Sequence, residues 1–144
     1  MNFPKVNVPL IEEVLEHIKH NLHTYDQNDV ARSAPVTGNN ECGAIGCFGG
    51  WAVLLSKPLE LRHRYAGTVN LNQARKLLGL TEGEAYFLFA AASGKPEKDY
   101  ELIKRRLTHI RESRCLAEGK IKKSELTHSN EFGGSIDYSY ENGL

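Results

Sequence analysis

No apolar run in this chain reaches the roughly 18 residues that a membrane-spanning helix needs, so no membrane contact is expected. Cysteine is scarce, with three in 144 residues. An odd, low count argues against a disulfide-stapled secreted framework. Residues 1–10 hold Pro4 and Pro9 but no apolar core, and do not read as a secretory signal. Net charge is missing as well, since 18 basic side chains balance 18 acidic ones. That excludes a chain basic throughout for nucleic acid, and an acidic solvating chain. No phosphate-loop glycine motif closes on Lys-Ser/Thr, and no His-Glu-x-x-His or Gly-x-Ser-x-Gly run occurs. Neither a metal nor a cofactor is expected. What remains is ordinary globular composition, 40% apolar and 25% charged. The length suits one domain, and the expected setting is the cytoplasm.

Helical spacing dominates what is present. Leu10, Ile11, Val14, Leu15, Ile18 and Leu22 form one stripe, which predicts a helix over 9–24 with Pro9 in its first turn. His20 and His23 lie three apart on it and read as surface histidines, with a metal pair as the sharper alternative. Pro35, Gly38 and Asn39-Asn40 mark a loop over 32–43. No polar side chain occurs between Gly43 and Ser56, which predicts a buried central helix over 44–57, closed by Pro58. Its glycines imply close backbone approach by another element. Asn70 caps a short helix that stops at Gly79, and Thr81 with Glu84 has capping-box spacing for the next. A last helix over 96–117 carries Tyr100, Ile103, Leu107 and Ile110. The expected fold is all-α, a compact single-domain bundle of about five helices over 1–119. A flexible acidic tail is expected over 120–144.

Cys42-Gly-Ala-Ile-Gly-Cys47-Phe-Gly-Gly-Trp51-Ala is the most unusual stretch. Four readings are open. The cysteines are small core residues, a metal half-site, a redox pair, or a nucleophile at a helix start with its thiolate favoured by the dipole. In the last reading Cys42 or Cys47 attacks, and His63, His109 or His128 supplies the base.

Charge is distributed unevenly. Residues 95–123 carry ten basic and five acidic side chains, whereas residues 124–144 carry four acids and no Lys or Arg. Lys104, Arg105, Arg111 and Arg114 are the candidate binding face of the last helix. Its partner is an acidic protein surface or, as the other class, a nucleic-acid backbone. Ile136, Tyr138 and Tyr140 alternate in the tail and are its candidate contact points.

The segment from His17 to Phe89 resembles a set of small bacterial and phage helical proteins of no established activity. The resemblance rests on His17-x-x-x-Asn21 with Tyr25-Asp26-Gln27, on Cys42 to Ala52, and on Ala74 to Leu80 with Thr81, Glu84, Ala85, Leu88 and Phe89. It implies a shared helical fold and transfers no catalytic residue. Its phage and mobile-element setting implies a non-enzymatic protein that binds and modulates another macromolecule. The alternatives are a cysteine-dependent hydrolase or transferase and a nucleic-acid backbone binder.

Overall fold

The computed structural model describes residues 2–141, which form a mostly helical body with one small sheet. Seven α-helices are found among them: α1 Val8–His20, α2 Phe48–Leu54, α3 Arg62–Tyr65, α4 Leu71–Leu78, α5 Glu82–Phe89, α6 Pro96–Ala117 and α7 Ser129–Phe132. Strands β1 Ala31–Ser33 and β2 Ala44–Gly46 pair antiparallel, with Arg32 opposite Ile45. No helix among the described residues is long and apolar enough to cross a membrane.

Local chemistry explains most boundaries. The Asn7 side chain accepts from Leu10 N–H (3.2 Å) and starts α1. Asn21 donates back to the His17 carbonyl (2.9 Å), and the chain continues as a 3-10 turn over Leu22–Thr24. The capping boxes Asn70/Gln73 and Thr81/Glu84 are both formed. Gly79 ends α4 at φ 72°, and a Cβ there would lie 1.9 Å from the Lys5 carbonyl oxygen.

The stretch predicted as one helix over 44–57 divides in two. Residues 44–46 are strand β2, Cys47 is the N-cap, and only Phe48–Leu54 is helical. The reason is the neighbouring backbone. A Cβ on Gly50 would stand 1.7 Å from the Val30 carbonyl oxygen, so the chain leading into β1 lies directly on the helix start. Pairing with β1 then holds Ala44–Gly46 extended. All seven residues of α2 are buried. Trp51 is fully enclosed, and its indole N–H donates to the Thr24 carbonyl (2.9 Å). Phe48, Ile18, Leu54, Leu78, Leu88 and Ile103 complete the largest part of the core.

After Gly119 the chain does not leave the body. Leu126 and Tyr138 are buried. Ile136 N–H donates to Ser113 Oγ (3.0 Å), and Thr127 N–H to Glu112 (2.9 Å). Glu141 accepts from Gly83 N–H (2.6 Å) at the start of α5, where a carboxylate suits the helix dipole. This differs from the flexible tail expected over 120–144. Two acids of the segment, Glu131 and Glu141, meet donors on the body, Arg105 and the Gly83 N–H, so a weak apolar pattern understates its contacts. Residues 142–144 lie outside the described part.

Candidate functional site

The basic face of α6 separates into side chains that are consumed internally and side chains left open. Arg114 is only 9% exposed. Its Nε and Nη2 donate to the two carboxylate oxygens of Glu84 (2.7 and 2.6 Å). Its Nη1 donates to the Pro4 carbonyl (2.6 Å), and its guanidinium lies 4.9 Å from the Phe3 ring centre. Arg106 is equally enclosed and donates to the carbonyls of Leu88, Ala90 and Ala91 where α5 ends. Arg105 pairs with Glu131 at 2.9 Å. Lys104 is exposed, beside Glu101 (3.2 Å) and 5.2 Å from the Tyr100 ring centre. Arg111 is exposed and has no ion pair among the described residues.

Lys104 and Arg111 border a groove of about 670 Å³ between α1 and α6. Val8, Ile11 and Leu15 line one side, and Tyr100 and Leu107 the other. Sequence reading treats Tyr100, Ile103, Leu107 and Ile110 as one core stripe. In the structure Ile103 and Ile110 are buried, while Tyr100 and Leu107 are only half-buried and face the groove. The groove itself was invisible in sequence, because a stripe wide enough to cover both core and groove looks like a core stripe. Its basic border repeats along α6 as Lys104 and Arg111, seven residues apart. That heptad spacing was the available signal.

The tail contacts are unequal. Tyr138 is buried, and its hydroxyl donates to Glu84 (2.7 Å). Ile136 is half-buried, whereas Tyr140 is 87% exposed. The three therefore do not present one common face.

Cys42 and Cys47 are buried free thiols. The Cys47 sulfur accepts from Gly50 N–H (3.3 Å) as the cap of α2. Burial pushes its thiol upward, against the lowering by the Gly50 and Gly49 N–H groups. Cys42 donates weakly to Asn40 Oδ1 (3.5 Å). His63 Nδ1 donates to the Gly43 carbonyl (2.8 Å). His109 is enclosed between Phe87 and Phe132, and desolvation lowers its pKa. His128 lies 3.8 Å from Glu131. No hydrogen bond joins either cysteine to any of these histidines among the described residues. Instead, Cys42 shares a polar cavity with His17 and Arg62. His20 pairs with Glu16 and His23 with the Asn39 carbonyl, and no group of three metal-ligating side chains occurs among the described residues.

Comparisons with family models, curated proteins and solved structures find no match.

Proposed function

We propose that this chain is a non-enzymatic binding protein that receives an acidic, amphipathic helical segment of a partner protein in the α1–α6 groove. The observation that carries this reading is the groove itself, an open apolar trough bordered by Lys104 and Arg111. An apolar trough between two helices suits a helix laid in with anchors at i, i+3 or i+4 and i+7. Lys104 and Arg111 then meet carboxylates on the flanks of that segment and set its register. The resemblance to bacterial and phage proteins supports a modulator of this kind, acting in the cytoplasm.

Nucleic acid is the weaker reading. Backbone binding gains from many free cations, yet Arg105, Arg106 and Arg114 are engaged within the fold.

A displayed library of amphipathic helical peptides tests the proposal. Enriched peptides are expected to combine an apolar stripe with Asp or Glu at its edges. Leu15→Asp or Leu107→Asp abolishes their binding, and the double change Lys104→Glu with Arg111→Glu selects against the acidic ones. Peptides that bind these folded variants as well as the parent overturn the reading.

A further inference from the structure

A second cavity, of about 350 Å³, opens where α1 ends. This volume lies within the range of about 300–1,000 Å³ found for small-ligand sites. Its walls come from three parts of the chain: His17, Asn21 and Thr24, then Asn40 and Cys42 of the 38–42 loop, then Arg62 at the start of α3. Unlike the α1–α6 groove, it is lined mainly by polar side chains.

The walls are held in place from behind. Asn40 is buried; its Oδ1 accepts from the N–H groups of Gly43 (3.1 Å) and Ala44 (3.4 Å), while its Nδ2 donates to the Ala44 carbonyl (3.0 Å). His23 donates to the Asn39 carbonyl and ties the same loop to the end of α1. Arg62 is fixed through Nε, which donates to the carbonyls of Leu54 (3.1 Å), the last residue of α2, and of Lys57 (3.2 Å) just beyond it. Its terminal nitrogens Nη1 and Nη2 meet no acceptor among the described residues. The His17 ring lies against Trp51, 4.0 Å between centres and tilted by 43°, and its Nε2 is enclosed without a hydrogen-bond partner. A polar atom left this way costs free energy until something satisfies it.

We propose that this cavity binds a small oxyanion group, a carboxylate or a phosphate, through the Arg62 guanidinium and the His17 imidazole. The Arg62 fork offers two parallel donors, the arrangement that matches two oxygens of one anion. His17 lines the same cavity, and a small turn of its ring brings the enclosed nitrogen to the anion as a third contact. Glu41 is the one acid of the lining, and it is exposed at the rim. The charge balance around the ring points the same way. Burial, then the charge of Arg62, then His23 hold the His17 pKa at about 4, so the ring is neutral at ordinary pH. A bound anion offsets the Arg62 charge and favours a proton on His17. The ring lies against Trp51, the only tryptophan in the chain, so an anion bound beside it perturbs the indole emission. The cavity therefore contains its own reporter.

The test titrates the full chain with succinate and, separately, with inorganic phosphate. Calorimetry and Trp51 fluorescence are both followed, with succinamide as the uncharged control. Saturable heat and a change in Trp51 emission are expected with at least one anion and neither with succinamide; the anion that acts identifies the oxyanion as carboxylate or phosphate. Arg62→Gln weakens that binding about tenfold or more, the loss of one charge-assisted contact. His17→Gln, folded by circular dichroism, weakens binding and diminishes the emission change. No saturable response of the parent chain to either anion overturns the proposal. So does an Arg62→Gln or His17→Gln variant that keeps its fold and binds as tightly as the parent. These outcomes are independent of the α1–α6 groove, whose residues are untouched.

Discussion

Arg114 and Glu84 form a buried two-point ion pair, with N–O distances of 2.7 and 2.6 Å and no exposed surface on Glu84. The pair joins distant parts of the chain. Glu84 also receives the Thr81 N–H of its capping box and the Tyr138 hydroxyl, while Arg114 reaches the Pro4 and Gly79 carbonyls. Removing Arg114 takes a donor from four acceptors, the two Glu84 oxygens and the Pro4 and Gly79 carbonyls, and takes the balancing charge from Glu84. Arg114→Ala is therefore expected to cost about 3–5 kcal/mol, because one buried charge is left uncompensated. Replacing both partners with apolar side chains, Arg114→Met with Glu84→Leu, costs much less than the two single changes summed. Urea midpoints of the three variants measure this directly. Equal, additive losses count against a buried coupled pair.

The C-terminal segment feeds into the same cluster. Tyr138 packs its ring on Phe3 at 4.8 Å between centres, and its hydroxyl donates a hydrogen bond to Glu84. Tyr138→Phe removes only that donor and is expected to cost about 1.5–3 kcal/mol, the worth of a hydrogen bond to a charged group. Deleting residues 124–144 is expected to lower Tm by more than this single change does. An unchanged melting curve on deletion restores the reading of this stretch as a mobile recognition tail.

Gly50 carries the junction between the sheet and α2. A Cβ at this position would sit 1.7 Å from the Val30 carbonyl oxygen, and backbone on both sides leaves no side chain to move aside. Gly50→Ala gains helix propensity of up to ~1 kcal/mol. The clash outweighs it, and a net loss of about 4 kcal/mol or more is expected. Thermal unfolding of the purified variant checks the sign. A stabilised protein would mean that Val30 yields easily.

Helices α4 and α5 were legible because capping boxes and apolar residues agree, and α1 and α6 because a proline in the first turn opens a long apolar stripe. The hairpin was not. Its strands are three residues long, and Ala44-Ile45-Gly46 has no alternation to separate it from the apolar helix that follows. The glycines did signal close approach by another element, but only the structure identifies it as the Val30 backbone. Among candidate site residues, Arg111 has no ion pair among the described residues and Lys104 is exposed beside Glu101, whereas Arg114 is spent inside. A basic residue at helical spacing looks the same in either role until its partners are known. Gln27 shows the converse. It accepts from the Tyr25 hydroxyl and Phe48 N–H and donates toward the Leu88 and Ala90 carbonyls, a buried knot that sequence shows only as one polar residue. Arg62 and His17 were missed as a pair because 45 positions separate them in the chain.

Acid should destabilise the fold through His17. The ring has a pKa of about 4 in the folded chain and an ordinary value of 6.5 when unfolded. Above pH 6.5 both states hold it neutral, and it contributes no slope. Between 6.5 and 4 the unfolded chain binds a proton that the folded chain refuses, so stability falls as pH falls. Below 4 the loss is complete. His109, lowered by burial, acts in the same direction. His17→Phe keeps a ring against Trp51 and removes the titration. Denaturant unfolding across this window should give a shallower acid limb for the variant than for the parent. Parallel limbs would show that His17 is not the neutral buried base described.

The three thiols are predicted to react in a fixed order. Cys115 is half-buried and lines the α1–α6 groove, so it is labelled first. Cys42 and Cys47 are 7% and 2% exposed. Burial raises the Cys47 pKa, which keeps it a thiol rather than the reactive thiolate near neutral pH. Cys47 should resist iodoacetamide until denaturant opens the core, Cys42 in the cavity wall should react slowly in the native chain and ahead of Cys47, and mass spectrometry of timed digests reads the order. A peptide held in the groove should slow Cys115 alone, whereas an anion in the His17–Arg62 cavity should leave its rate unchanged. Rapid native labelling of Cys42 or Cys47 would instead favour cysteine chemistry, with the His17 imidazole in the Cys42 cavity as the base to test first.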